Sequence, residues 1–162
     1  MMIYNGVKLV RKYVQILASR QHRITVKGSD DGMKCLTSSC EWNVISDYHP
    51  KYELKNYPTP RELLLSALGS CTIMTIKTHC ESKIGYKIKD ITVDLEEIMG
   101  SSQHIPENIR LNINLKYTGT IDHDTAKKIK SIADRCPVKR IITGNNSPEF
   151  ITSNVQVERI LI

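Results

Sequence analysis

At 162 residues, with a formal net charge of +6 and 40% hydrophobic residues, the chain has the length of one domain and can bury about two-thirds of its unfolded surface without metals or disulfides. Its basic residues are spread thinly, with no Lys/Arg block and no aromatics interleaved with cations, which argues against a nucleic-acid partner. Five cysteines, an odd number without framework spacing, point to a reducing compartment and to thiol or metal chemistry before structural disulfides.

The first 28 residues hold Lys8, Arg11, Lys12, Arg20, Arg23 and Lys27 and no acid. Val7, Val10, Val14 and Leu17 share one helical face. Residues 1–20 therefore read as an amphipathic helix packed on the domain or on a partner subunit, or as a targeting segment of the mitochondrial kind. No signal-peptide pattern is visible, so a cytoplasmic location is expected, with the mitochondrion as the alternative. Residues 21–162 are expected to form a single domain.

His22 to Lys27 alternates as a strand, Ser29-Asp30-Asp31-Gly32 is a turn signal, and Met33 to Thr37 is the return strand of a hairpin. Residues 38–58 lack a period and read as a loop with room for one short strand. Then comes the longest helix, Thr59 to Gly85. Thr59 and Glu62 form a T-x-x-E capping box, Pro60 suits the first helical position and Gly85 is a stop. From Leu63 to Ile76 it carries no charge, so it reads as a helix buried on all sides. The run is too short to span a bilayer and ends in Lys77, His79, Glu81 and Lys83, so no membrane span is expected.

Ile91, Val93 and Leu95 alternate with polar residues, and Ile109 to Tyr117 alternates more cleanly still; both read as half-buried strands. Asp122 is placed as the cap of a helix whose apolar stripe runs Ala126, Ile129, Ile132, Ala133 and Cys136. Pro137 ends that helix and opens a short second one, stopped by Gly144. A strand from about Phe150 to Val157 closes the chain. The order ββ, long α, ββ, α, β gives an α+β class with a mostly antiparallel sheet wrapped on a long buried central helix.

Cys71 lies mid-way along the central helix. Cys136 lies on the inward stripe of its own helix and would cap the next, where free backbone N–H groups favour a thiolate. Two inward cysteines about 65 residues apart resemble a peroxidatic and resolving pair, cycling from thiolate to sulfenic acid to disulfide. Cys80 falls on the opposite side of the helix from Cys71 and cannot share its site on one chain. Cys35-x4-Cys40 with His22 or His49 fits only the loosest zinc pattern, so no metal and no resident cofactor are expected.

PTPRELLLSALGSCTIMT, followed about 60 residues later by ADRCPVKRIITG, resembles the OsmC/Ohr family of osmotically inducible and organic hydroperoxide resistance proteins, in its OsmC-like branch. The resemblance covers roughly residues 22–162. It implies an intertwined homodimer with two long helices at its middle and sites built from both subunits. It also implies a thiol-dependent peroxidase that reduces organic hydroperoxides, with Cys71 peroxidatic, Cys136 resolving and an external dithiol such as a lipoyl group as reductant. A non-catalytic module binding an apolar ligand, or a thiol redox sensor, are the alternatives on the same fold.

The sequence departs from the family's well-studied peroxidases, which place a Glu ten residues before the first Cys and pair it with an Arg from an N-terminal turn. Here that position is Arg61, and the turn GSDDG has no Arg. The candidates for stabilising the Cys71 thiolate are Arg23, Arg61 and Arg140, in that order. Arg61 is three turns from Cys71, ~15 Å along the axis, so it would reach a thiol only across a dimer.

Overall fold

The computed structural model describes residues 24–28, 34–38, 42–47, 57–81, 87–101, 106–118, 124–144 and 148–159. The expectations for the helix at 1–20, the turn at 29–32, Gly85 and Asp122 lie outside these residues. The chain divides into two compact units, Met1–Leu63 and Leu64–Ile162.

In the first unit three short strands, β1 (Thr25–Gly28), β2 (Lys34–Ser38) and β3 (Asn43–Asp47), form an antiparallel sheet in the order β1-β2-β3. The hairpin read from the sequence is β1 paired with β2, Thr25 opposite Ser38 and Gly28 opposite Cys35. The anticipated short strand in the 38–58 stretch is β3, whose last N–H, on Asp47, donates to the Pro58 carbonyl at 3.1 Å. That bond brings the chain to the start of α1 (Pro60–His79). The capping box is present: the Thr59 N–H donates to Glu62 Oε2 at 2.7 Å, and the Glu62 N–H donates to Thr59 Oγ1 at 3.3 Å.

α1 has 20 residues, and the helical backbone runs on through Cys80 and Glu81 to the edge of the described stretch. In the isolated chain its burial is one-sided: Leu68, Gly69, Thr72 and Ile76 are buried, while Leu64 is 46% and Met74 60% exposed. An uncharged run is thus not covered all round by one copy of the chain. Thr72 tolerates burial because its hydroxyl donates back to the Leu68 carbonyl at 2.8 Å.

The second unit is built on a three-stranded sheet, β4 (Lys87–Met99), β5 (Pro106–Thr118) and β6 (Ile151–Arg159), in the order β4-β5-β6. β4 and β5 are antiparallel, with Val93 opposite Ile113 and Leu95 opposite Leu111. Alternation decides the faces: Ile109, Leu111, Ile113, Leu115 and Tyr117 are all buried. The other face is polar, with Arg110 paired to Glu96 at 3.2 Å and Asn154 to Asn112 at 3.2 Å.

β6 runs parallel to β5, Ile109 opposite Ile151. A parallel pair needs a crossover, which here carries α2 (Thr125–Ala133) and α3 (Pro137–Thr143). α2 begins after Asp124, whose side chain makes no capping hydrogen bond, and buries Ile129, Ile132 and Ala133. α3 ends at Gly144, the one described glycine with a left-handed φ, 49°.

Gly69 lets α1 approach β4 closely: a Cβ there would lie 2.9 Å from Leu95 Cδ1. Gly69→Val should therefore cost roughly 1–3 kcal/mol by overpacking, read as a lower urea midpoint with unchanged slope. An unchanged midpoint would mean that this contact does not set the helix–sheet spacing.

Candidate active site

Pro137 shapes the site locally. It lacks an N–H and its ring disfavours helical backbone in the residue before it. Cys136 accordingly has φ −54° and ψ 121°, outside the helical region. α2 closes with tight bonds, Arg135 N–H to Ile132 O and Cys136 N–H to Ala133 O, both 3.0 Å. α3 then starts afresh, with the Arg140 N–H donating to the Cys136 carbonyl at 3.1 Å. Cys136 is wholly buried at this break.

Cys71, half-buried in the middle of α1, meets that break. Two groups at the break act on its thiol, the Cys136 side chain and the backbone N–H of Val138, one residue into α3 beyond Pro137. Thr75, one turn along α1, touches the same thiol, and its hydroxyl donates to the Cys71 carbonyl at 2.8 Å.

Burial pushes the Cys71 thiol above its ordinary value of 9.0. The Val138 N–H pulls it back down, Cys136 raises it again through its hydrogen bond and as a second negative charge, and Thr75 lowers it. The sequence reading assigned the free N–H groups of the α3 start to Cys136. The side chain of Cys136 makes no cap hydrogen bond, and the Val138 amide acts on Cys71 instead. The one hint in the sequence is Pro137, which places the first available N–H of that helix on Val138.

Of the three candidate arginines, Arg23 lies outside the described residues. Arg61 is exposed at the second position of α1 and Arg140 is exposed on α3. Among the described residues, the groups shifting Cys71 are Cys136, Val138 and Thr75. Cys80 is fully buried and its thiol is pushed up to about 11, first by burial and then by Glu81. Its neutral form is the one the fold favours, so the stability it adds is full below pH 9.0 and is lost as pH rises towards about 11. Cys35 sits half-buried on β2, while its suggested partners Cys40, His22 and His49 lie outside the described residues.

A sequence profile described as OsmC-like protein matches residues 53–151, more than half of the chain and including both Cys71 and Cys136. The chain belongs to the OsmC-like family. The fold of this OsmC-like protein is shared by solved structures of low identity. One is an OsmC-like protein from Mycoplasma pneumoniae, 18% identical, covering 88% of this chain and 99% of that one, at a TM-score of 0.69. Another is an organic hydroperoxide resistance protein from Elizabethkingia anophelis with thiocyanate bound, 16% identical over 88% of this chain and 99% of that one, at 0.58. A third is a putative organic hydroperoxide resistance protein from Vibrio cholerae with captopril in one of its active sites, 16% identical over 86% and 93%, at 0.54. At these identities the likeness speaks for the fold. None of the curated proteins matches the chain. Among the described residues of this OsmC-like chain, no helix is long and apolar enough to cross a membrane.

Both influences of Cys136 on Cys71 are upward, so Cys136→Ala should lower the pH at which Cys71 becomes half-reactive towards iodoacetamide. A midpoint that stays put or rises would show that the two thiols are not coupled.

Proposed function

We propose that this OsmC-like protein is a thiol-dependent peroxidase that reduces organic hydroperoxides to alcohols through Cys71 and Cys136. The observation that carries the reading is the contact of a half-buried thiol with a buried second thiol and a helix-start N–H. In the first step the Cys71 thiolate attacks the distal peroxide oxygen, the O–O bond breaks and the alkoxide leaves as an alcohol after taking a proton. Cys71 is then a sulfenic acid. Cys136 attacks that sulfur, the S–S bond forms and water leaves. An external dithiol, such as a lipoyl group, restores both thiols and is itself oxidised to a disulfide.

Cys71 packs against the buried apolar core, and an apolar environment favours an organic peroxide over hydrogen peroxide. Two of the structures sharing the fold are named for organic hydroperoxide resistance, which supports the same substrate class. The free thiols of Cys35, Cys71, Cys80 and Cys136 suit a reducing compartment, the cytoplasm or the mitochondrion. The upward shift of Cys71 favours a second reading, a module that holds an apolar ligand without turnover. Thiol counting separates the two.

One equivalent of cumene hydroperoxide should remove two thiols per chain and leave a Cys71–Cys136 disulfide in the peptide map. Cys136→Ser should instead accumulate Cys71 sulfenic acid and over-oxidise, and Cys71→Ser should be inert. Retention of every thiol would favour the binding module.

The exposed apolar residues of α1, Leu64 and Met74, support a homodimer that covers this flank. Light scattering should give twice the 18.4 kDa of the chain, and a lone species at 18.4 kDa overturns the dimer. In that dimer Arg23, Arg61 and Arg140 are the candidate cations for the Cys71 thiolate. The one that acts will raise the Cys71 alkylation midpoint when changed to Ala, by about one unit, or roughly 1.4 kcal/mol.

A further inference from the structure

We propose that Lys139 is a positioning residue for the thiol pair, holding the Cys136–Pro137–Val138 turn in place by tying its two sides to each other and to β6. The inference rests on reading Cys71 as the reactive thiol, but not on what that thiol reduces.

The backbone hydrogen bonds of α2 end at the Cys136 N–H and those of α3 begin at the Cys136 carbonyl. The two helices thus meet at Cys136 as at a hinge, and a side-chain ring crosses it. Lys139 Nζ donates to Asp134 Oδ1 at 2.6 Å and to Ser153 Oγ at 3.2 Å, and Ser153 Oγ donates to Asp134 Oδ1 at 3.5 Å. Asp134 is the C-cap of α2, Lys139 the third residue of α3 and Ser153 a buried residue of β6.

Burial makes the ring exacting. The Lys139 side chain is only 10% exposed, and an ammonium so placed is tolerated only with its partners in position. The other carboxylate lining the same surface cavity is that of Glu149, while Lys130 and Arg140 add further positive charge there. The hydrogen-bond geometry therefore fixes the angle between α2 and α3. That angle in turn decides whether the Val138 N–H points at Cys71, since Val138 lies between the hinge and Lys139.

The test is the pH midpoint of Cys71 alkylation by iodoacetamide, measured in the full chain on a Cys136→Ala background so that the influence of the second thiol is absent. Lys139→Met keeps the aliphatic stem and removes the ammonium; Asp134→Asn removes the charge of a half-exposed partner. Each should raise the midpoint by about half a unit or more, roughly threefold less thiolate at a given pH. Lys139→Arg should restore it. Lys130→Met, which removes an equal charge from the same cavity without touching the ring, should leave it unchanged.

Circular dichroism melting establishes that each variant is folded. If Lys139→Met does not fold, Asp134→Asn decides alone. Folded variants with an unmoved midpoint would make the ring a stability feature only and overturn the proposal. An equal rise in Lys130→Met would overturn it too, by assigning the effect to charge. Neither result touches the peroxide reading, which is measured by disulfide formation.

Discussion

The placement of the thiols depends on one covalent constraint, the fixed φ and missing N–H of Pro137. Without it α2 and α3 would be one helix, and Cys136 would be an interior helical residue. With it the backbone opens at Cys136, a new helix start appears, and the Val138 N–H is left to find an acceptor outside its own helix. The group it acts on is a thiol carried by a different element, Cys71. The proline thus supplies what the middle of α1 cannot, a partial positive charge for an otherwise apolar and half-buried sulfur.

The forces on that sulfur act in both directions, with burial the largest. Burial and a neighbouring thiol hold the proton on Cys71; an amide and a hydroxyl favour its loss. A half-buried thiol poised in this way is sensitive to small displacements of its neighbours, because a hydrogen bond weakens steeply with misalignment while desolvation does not. The segment around Cys136 is tied on both sides through Lys139, whose ammonium is largely buried, to Asp134 and Ser153.

Much of this was legible in the sequence, element by element. The Thr59/Glu62 box gave the start of α1, the alternation from Ile109 to Tyr117 gave the buried face of β5, and Pro137 and Gly144 bracketed α3. Both cysteines were legible because each sits at a position whose burial follows from its helix. The direction of β6 was not, because nine alternating residues read the same way in either direction; only the two helices before it, seen as a crossover, imply a parallel partner. The residue before α2 is Asp124 rather than Asp122, and two aspartates two residues apart carry the same capping signal in sequence. The Asp134–Lys139 pair escaped because five residues is not a helical spacing. It becomes a contact only through the break that Pro137 imposes. The one-sided burial of α1 escaped for another reason: an uncharged stretch records that a helix is apolar, not which of its faces the rest of the chain covers.

The parallel pairing of β5 with β6 has a consequence for how the molecule comes to exist. Its partners are about forty residues apart, and the strands cannot meet until the whole crossover between them has been made. On the ribosome Cys71 emerges about 65 residues ahead of Cys136, followed by a hairpin that closes locally and then by α2, which packs on the β6 still to come. During that interval the first thiol has neither its partner nor its amide. Cys71 thus meets Cys136 and Val138 only after the β4–β5 hairpin has been made, and the sheet itself is complete only when the final strand arrives.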